Sequence, residues 1–315
     1  MLAQPEDSTL SAAAAHSGSP VSAPAAGNTV FHGDNMSVLA TLPDESFTLI
    51  YVDPPFNTGR KQTRAERTMV RADEGEGTHV GFKGRSYTAE IGQSRSYHDS
   101  FEDYLSFIEP RLLEAYRLLA EDGTLYVHLD YREVHYVKVL LDTIFGRECF
   151  LNELIWAYDY GARAKSRWPA KHDTILVYVK NPKKYHFDSA EVDREPYMAP
   201  GLVTPEKREK GKLPTDVWWH TIVSPTGKEK TGYPTQKPEG ILRRIVAASS
   251  RPGDWVLDFF AGSGTTGAVA AKMERRFVLI DQNTQAIEVM HARLPENTVF
   301  ATLDGSPAPV PRPAD

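Results

Sequence analysis

The stretch WVLDFFAGSGTTGAVAAKMERRFVLIDQN, residues 255–283, is predicted to form a strand, a glycine turn, a helix and a second strand. Gly262 and Gly264 let the backbone turn tightly and approach a ligand closely, and the amino terminus of the helix follows them. Asp281 lies 17 residues after Gly264, at the end of the second strand. A carboxylate in that position accepts hydrogen bonds from ribose hydroxyls, so the stretch predicts a nucleoside-binding unit.

The details of this unit differ from the pattern that binds nicotinamide dinucleotides. Thr266 stands where that pattern has its third glycine. Asp258 precedes the turn, and an acid there suits a cofactor that carries an amino group or a positive charge rather than a pyrophosphate. The residues alone therefore predict a nucleoside cofactor and disfavour a dehydrogenase.

Apolar, strand-like runs alternate with helical periods along most of the remaining chain. Seven runs are predicted to be strands: 29–34, 47–55, 123–130, 152–159, 173–181, the first part of 255–264, and 275–283. This alternation predicts an α/β fold with a doubly wound, mostly parallel, seven-stranded sheet in a catalytic domain of residues 29–304. Residues 1–28 and 305–315 are poor in apolar periods and are predicted to be disordered tails.

The composition of the 315 residues narrows the class of protein further. Lys and Arg number 36 and Asp and Glu 42, a net charge of −6 that by itself argues against a nucleic-acid partner. Cys149 is the only cysteine, which excludes an intramolecular disulfide framework. No apolar run reaches the roughly 20 residues of a membrane span, and no signal-peptide pattern is visible, so the predicted location is the cytoplasm. The ten histidines show no metal-ligand spacing, and no metal is predicted.

The tetrapeptide Asp53-Pro54-Pro55-Phe56 follows an apolar strand and is expected at the carboxyl edge of the sheet, where open α/β folds bind ligands. Its prolines hold the backbone extended. The Asp53 carboxylate and a neighbouring carbonyl can accept hydrogen bonds from one amino group, and Phe56 offers a flat face for stacking. These residues suit the exocyclic amine of a base extruded from a duplex. A Pro-rich turn with a solvated aspartate is the alternative that they leave open.

Three segments together resemble a known family: DPPF (53–56), TQKPEGILRRIV (235–246) and DFFAGSGTT (258–266). They resemble the amino-methyltransferases of DNA, and their order resembles the β class of that family. The resemblance implies a Rossmann-like fold with a circularly permuted motif order and the cofactor S-adenosylmethionine. It also implies methylation of N6 of adenine or N4 of cytosine in a flipped base of double-stranded DNA. An aspartate opening the tetrapeptide favours adenine; an N4-cytosine enzyme and a DNA-binding relative without catalysis are the alternatives.

The resemblance also implies a role for each residue that matches a family motif. Asp53 and the Pro54 carbonyl would hold the target amino group, and Phe56 would stack on the base. Asp281 would bind the cofactor ribose, and Lys237 the carboxylate of its methionine part. The other candidates around the tetrapeptide and the cofactor are Asp34, Pro55, Asp258, Phe260, Gly262, Ser263, Gly264 and Thr265.

Two long polar segments are predicted to meet the DNA. Residues 57–98 are predicted to be a flexible lid, and residues from about 160 to 232 the target-recognition region. Residues 160–185 carry seven Lys or Arg against one Asp, a local charge of +6 within a chain of net charge −6. The candidate phosphate-contacting residues in this segment are Arg163, Lys165, Arg167 and Lys171.

Other features of the family leave alternatives open in this sequence. Trp156 and Tyr160 fall where the family places an aromatic wall of the base pocket, but aromatic residues are equally common in the core of a sheet. A homodimer and a cognate restriction endonuclease are partners that the resemblance allows.

Overall fold

The computed structural model of the protein describes residues 27–57, 60–71, 79–80, 86–99, 103–159, 164–224, 226–304 and 306. For 60–71, 79–80 and 86–99 it describes the course of the backbone. The predicted tails 1–28 and 305–315 fall almost wholly outside these ranges, and so do Tyr160 and Arg163. Within the described ranges, no helix is long and apolar enough to cross a membrane.

The described chain alternates strands and helices, as its apolar pattern predicts. The strands are β1 (Thr29–His32), β2 (Phe47–Val52), β3 (Arg60–Arg71), β4 (His79–Val80), β5 (Ser86–Asp99), β6 (Leu119–Leu129), β7 (Phe150–Ala157), β8 (His172–Val179), β9 (Val217–Trp219), β10 (Trp255–Asp258), β11 (Arg276–Asp281) and β12 (Val299–Ala301). The helices are α1 (Asn35–Leu39), α2 (Tyr104–Leu118), α3 (Val134–Phe145), α4 (Pro205–Lys210), α5 (Glu239–Ser249), α6 (Thr265–Lys272) and α7 (Thr284–Arg293).

The main sheet has nine strands in the order β12-β1-β11-β10-β2-β6-β8-β7-β9. Its neighbouring strands run parallel, except that β8 is antiparallel to both β6 and β7. The predicted α/β class with a doubly wound, mostly parallel sheet is confirmed, but the predicted count of seven strands is wrong. The two additional strands, β9 and β12, have three residues each and form the two edges. Strands this short are not detectable as a period in the sequence.

Helices cover both faces of the main sheet. Residues of α1, α2 and α3 pack on the face where Ile50 and Val52 of β2 are buried. Residues of α5, α6 and α7 pack on the other face, with Leu49 and Tyr51. Because successive strand residues point to opposite faces, a strand covered on both sides must be apolar throughout, as the sequence FTLIYV of β2 is. This buried strand therefore holds the tetrapeptide that follows it in a fixed place.

A second, smaller sheet follows the tetrapeptide. Its three strands are antiparallel in the order β3-β5-β4, and β3 and β5 pair along most of their length. The sequence predicted a flexible lid loop over residues 57–98, whereas the described parts of this segment, 60–71, 79–80 and 86–99, form strands. Charged residues recur through RKQTRAERTMVR of β3, so no apolar alternation indicates the strand. The role of this segment as a lid over DNA stays a prediction.

Candidate active site

The carboxyl ends of four parallel strands, β1, β11, β10 and β2, lie side by side in the main sheet. An acidic residue ends or closely follows each strand: Asp34, Asp281, Asp258 and Asp53. These carboxyl groups surround one cavity of about 370 Å³. Ten of the thirteen residues proposed for the catalytic loop and the cofactor line it: Asp34, Asp53, Pro55, Lys237, Asp258, Phe260, Gly262, Ser263, Thr265 and Asp281. The residues that motif matching singled out are thus brought together at one edge of the sheet.

The glycine turn between β10 and α6 is shaped by two residues with positive φ. Gly262 has φ +50° and Gly264 φ +70°, a region that side chains disfavour. A Cβ on Gly264 would lie 2.6 Å from the Met290 side chain, so only glycine fits there. The backbone N–H of Gly262 donates to Oδ2 of Asp281, and that of Asn283 donates to Oδ1, both at 2.8 Å. Asp281 therefore fixes the turn to the end of β11 while it lines the cavity.

Asp258 is a fully buried carboxyl group beneath the glycine turn. It accepts hydrogen bonds from the Thr266 hydroxyl at 2.6 Å and from the Phe260 backbone N–H at 3.0 Å. Burial, with a smaller contribution from the charges of Asp53 and Asp281, raises the pKa of Asp258 from 3.8 to about 7. Burial also raises the pKa of Asp281. Such a group of carboxyls favours a positively charged ligand, which would stabilise their ionised forms.

Asp53 and Lys237 form a buried ion pair across the cavity. The Lys237 ammonium bonds Oδ2 of Asp53, and their side chains are 9% and 16% exposed, respectively. Oδ1 of Asp53 is buried and has no hydrogen-bond partner within the described part of the chain. The Lys237 ammonium also lies 5.1 Å from the centre of the Phe56 ring. The structure thus pairs two side chains for which the sequence predicted different ligands.

Asp34 lies at the opposite end of the cavity and caps a helix. Its carboxylate accepts from the Ser37 backbone N–H at 2.9 Å, which begins α1. Arg111 lies 3.8 Å from that carboxylate and bonds the Asn35 side chain at 2.9 Å. Asn35 in turn donates to the Phe259 carbonyl at 2.9 Å. Asn35 and Arg111 also line the cavity. Asn35 directly follows Asp34 in the segment HGDN, which resembles a family motif, whereas Arg111 lies in no motif.

An aromatic group lies behind the tetrapeptide, and the sequence analysis missed part of it. The His128 ring is fully buried, 5.9 Å from the Phe56 ring and 5.5 Å from the Trp156 ring. Trp156 is itself buried and donates its indole N–H to the His220 carbonyl. Trp156 therefore belongs to the core and, through His128, also supports the tetrapeptide. His128 lies in VHLD, a strand sequence without any motif.

The described part of the basic segment near the site is short. Lys165 and Arg167 are exposed, and Nη2 of Arg167 lies 3.4 Å from the hydroxyl of Tyr131, two residues after β6 ends. The Lys171 ammonium lies 3.7 Å from the Asp159 carboxylate. These residues are therefore at the carboxyl edge of the sheet, on the side of the cavity.

Strand β8 then carries the chain to the opposite edge. It runs antiparallel to β6, so Val179 at its end pairs with Thr124 near the start of β6. Lys180, Lys183 and Lys184 follow, and Lys184 pairs with Glu121 at 2.7 Å. The charge of +6 counted over residues 160–185 therefore does not form one face, because strand direction divides it. The prediction of DNA contact is limited to the residues before β8.

Within the described residues, no group of three or more His, Cys, Asp or Glu side chains is arranged to hold a metal ion. The four acids at the cavity are engaged with backbone N–H groups, hydroxyls or basic side chains instead. These carboxylates therefore have hydrogen-bonding or ionic partners within the described chain.

Comparison with known proteins shows which family has this arrangement of residues. Residues 47–292 match the family model described as DNA methylase, of the N6 and N4 type. The DNA adenine methyltransferase YhdJ of Escherichia coli (strain K12) is 31% identical over 274 residues, which are 84% of this chain and 82% of YhdJ. The type II methyltransferase M.HpaI of Haemophilus parainfluenzae is 29% identical over 261 residues, 82% of this chain and 71% of that protein.

The fold is also similar to a solved structure that contains S-adenosylmethionine. The crystal structure of the M1.HpyAVI–SAM complex matches with a TM-score of 0.53 at 19% identity and covers 84% of this chain and 98% of that chain. The predicted family is therefore confirmed over nearly the whole described chain. This chain belongs to the family of DNA methylases that use S-adenosylmethionine to methylate an exocyclic amino group, N6 of adenine or N4 of cytosine.

Proposed function

We propose that this DNA methylase transfers a methyl group to N6 of adenine at a specific sequence in double-stranded DNA, with Asp53 and Pro54 holding the amine. The observation that carries the proposal is the state of the Asp53 carboxylate. Its Oδ2 is paired with Lys237, whereas its buried Oδ1 has no partner among the described residues. An unsatisfied buried acceptor costs about 1–3 kcal/mol, and a hydrogen bond donated by the target amine would offset that cost.

The cavity fits the cofactor of the family. Its volume of about 370 Å³ lies in the range of small-molecule pockets, about 300–1,000 Å³. Asp258 and Asp281 supply negative charge for a ligand that carries a sulfonium and an ammonium group. The Asp281 oxygens retain lone pairs beside the N–H groups that they accept, so they are suited to the ribose hydroxyls. When bound, S-adenosylmethionine supplies an electrophilic methyl group on its sulfonium.

The tetrapeptide is suited to activate an amine. An exocyclic amine is a poor nucleophile because its lone pair is delocalised into the aromatic ring. Hydrogen bonds from its two N–H groups to Oδ1 of Asp53 and to the Pro54 carbonyl favour a pyramidal nitrogen with an exposed lone pair. Phe56 stacks on the base and fixes its plane. Positioning and hydrogen bonding then supply much of the acceleration, and Asp53 need not be a strong base because the proton becomes acidic only as the methyl group arrives.

Two observations favour adenine over cytosine. The tetrapeptide opens with an aspartate, as it more commonly does in the adenine enzymes of the family. The relative YhdJ, with 31% identity, is described as a DNA adenine methyltransferase. An N4-cytosine activity is the alternative, because both bases present the same amino group to Asp53 and Pro54.

Digestion of the methylated DNA into nucleosides identifies which base the enzyme methylates. We expect unmethylated genomic DNA, incubated with the enzyme and S-adenosylmethionine, to yield N6-methyladenine when its nucleosides are separated by mass spectrometry. Sequencing of the modified positions should then give one recognition sequence. N4-methylcytosine in place of N6-methyladenine would contradict the choice of base, and no methylated base at all would contradict the function. DNA incubated without S-adenosylmethionine is the control.

Lys165 and Arg167 are proposed to contact DNA phosphates, as are Arg163 and Lys171. Replacing Lys165 and Arg167 with glutamine should lower the salt dependence of DNA binding, the slope of log K against log salt, by about two, because each lost phosphate contact removes about 0.9. The matched control is the double variant Lys183→Gln/Lys184→Gln, which removes two charges at the opposite edge of the sheet and should leave the slope unchanged. An equal change of this slope in the two double variants, measured by fluorescence anisotropy titration, would contradict the placement of the DNA contacts at Lys165 and Arg167.

The remaining assignments rest on the family resemblance. We propose residues 29–304 as the catalytic domain, the segment from about 160 to 232 as the target-recognition region and 57–98 as a lid over the DNA. We also propose that the enzyme acts in the cytoplasm. A homodimer and a cognate restriction endonuclease stay predictions; the description of the relative M.HpaI as a type II methyltransferase supports the second.

A further inference from the structure

A buried chain of polar side chains connects three adjacent strands behind the tetrapeptide. The Tyr51 hydroxyl of β2 lies 2.8 Å from Nδ1 of His128 on β6, and Nε2 of that ring lies 3.2 Å from Oδ2 of Asp173 on β8. The Tyr158 hydroxyl donates to Oδ1 of Asp173 at 3.0 Å. His128 is 0% and Asp173 8% exposed. We refer to Tyr51, His128 and Asp173 as the Tyr51–His128–Asp173 network.

The proton positions in this network follow from the chemistry of its ends. Burial acts to raise the pKa of Asp173, but the hydrogen bond from His128 and the charges nearby outweigh it, so that pKa lies below its usual value. An ionised carboxylate can only accept, so Nε2 of His128 donates to it. Burial, and next the charge of Asp53, raise the pKa of Tyr51 well above its usual value. The Tyr51 hydroxyl therefore stays protonated and can donate a hydrogen bond to Nδ1 of the Nε2-protonated tautomer of His128.

The network touches the active site at two points. Tyr51 lines the cavity and precedes Asp53 by two residues on the same buried strand. The imidazole of His128 lies between the Phe56 ring at 5.9 Å and the Trp156 ring at 5.5 Å. Both the acceptor that meets the amine and the ring that stacks on the base are thus attached, directly or through one residue, to His128.

Stability alone does not account for such a network. A buried ionised group with its partners is often no more stable than apolar side chains of the same volume, because each polar group loses its hydration. The surrounding core of Trp156, Ile175 and Leu154 is apolar and could accept such a replacement. What a hydrogen-bonded imidazole adds is direction: its two nitrogens fix the orientation of the ring and, through Tyr51, of the cavity wall.

We propose that His128, oriented by Asp173, is a positioning residue that holds Tyr51 and Phe56 in the geometry required for methyl transfer to the target base. The inference rests on the proposed function, since it deepens the account of the same site. His128 does not touch the base or the cofactor in this account; it acts through Tyr51 and Phe56. Loss of the network should therefore slow the methyl-transfer step and leave the affinity for S-adenosylmethionine intact.

The test compares three conservative variants. Tyr51→Phe removes one hydroxyl and keeps the ring, and Asp173→Asn keeps the shape and removes the charge. Tyr126→Phe is the matched control: Tyr126 is also buried, pairs with Tyr51 in the sheet register, and loses a hydrogen bond of 2.7 Å to Ser249 on substitution. Each variant is measured for its single-turnover methylation rate and, by calorimetry, for its dissociation constant for S-adenosylmethionine.

We expect Tyr51→Phe and Asp173→Asn to lower the single-turnover rate about 10- to 100-fold, as misplacement of reacting groups does, with a dissociation constant within about twofold of the parent. Tyr126→Phe should leave both quantities within about twofold of the parent. The double variant Tyr51→Phe/Asp173→Asn should be no slower than the slower single variant, because both act through one ring. Equal rates for Tyr51→Phe and Tyr126→Phe, or additive losses in the double variant, would overturn the proposal.

A measurement without DNA separates this inference from the proposed function. In protein labelled with ¹⁵N-histidine, His128, assigned from the spectrum of His128→Asn, should show a protonated Nε2 and an unprotonated Nδ1. A proton on Nδ1 instead would overturn the network whatever the enzyme methylates. If the parent enzyme methylates no DNA, the proposed function fails, and the spectrum still reports whether the imidazole is oriented as inferred.

Discussion

Asp53→Ala is expected to abolish methyl transfer, with a fall of about 10³-fold or more in the single-turnover rate. The substitution removes the only side-chain acceptor that we assign to the target amine. It also leaves the Lys237 ammonium, 9% exposed in its side chain, without its partner beside the place where the amine becomes positively charged. Lost hydrogen bonding and new repulsion therefore act in the same direction.

Two further variants separate these causes. Asp53→Ala/Lys237→Met removes the unpaired charge and should remain inactive, because the acceptor is still missing. Asp53→Asn keeps one carbonyl acceptor and should lose less activity than Asp53→Ala. Circular dichroism establishes that each variant is folded, since removing one partner of a buried ion pair costs about 3–5 kcal/mol. Turnover by folded Asp53→Ala within about tenfold of the parent would contradict the assigned mechanism.

Asp258→Asn is expected to stabilise the protein at alkaline pH. The folded Asp258 carboxyl binds a proton up to a pH of about 7, whereas in the unfolded chain it does so only up to its ordinary value of 3.8. Between these values the folded state holds more protons, so the free energy of unfolding falls as the pH rises and is lowest above pH 7. A difference of about three pH units corresponds to about 4 kcal/mol. Asparagine has no proton to lose and escapes this penalty.

Urea unfolding of the cofactor-free protein between pH 4 and 8.5 measures the effect. The advantage of Asp258→Asn over the parent should grow from pH 4 to 7 and then stay level. Asp304→Asn is the control, because Asp304 is exposed and hydrogen bonds from Ser306 and Thr302 lower its pKa to about 2. Its contribution is lost only as the pH falls towards 2, so this variant should show no rise between pH 4 and 7. A pH-independent difference for Asp258→Asn would contradict the raised pKa.

Continuous apolar runs made the main sheet predictable. β2 and β11 are covered on both faces, and burial on both sides requires an unbroken run of apolar residues, as in FTLIYV. The edge strands β9 and β12 have no such requirement, and the charged strand β3 pairs outside the main core. Their sequences therefore resemble loops, and the structure alone identifies them as strands.

The sequence predicted most of the residues that line the cavity, but not which of their side chains pair with one another. Parallel strands end at one edge, so acids at several strand ends were expected to meet there. The ion pair between Asp53 and Lys237 joins residues 184 positions apart, each of which the family resemblance assigns to a different ligand. His128 carries no motif, and its role depends on which strands become neighbours. The basic residues of 160–185 lie at two opposite edges of the sheet because β8 runs antiparallel to β6. A count of charges along the sequence does not reveal that direction.

Strand β10 lies between β11 and β2, so the amino-terminal strands β1 and β2 are never neighbours. During synthesis both leave the ribosome early, but β1 pairs with β11 and β2 with β10, strands that are made only with residues 255–281. The nascent chain therefore exposes apolar strand edges for most of its translation and completes its contacts of longest sequence separation late. The cavity is lined by residues from both ends of the chain, so it is complete only after residue 281 has been made.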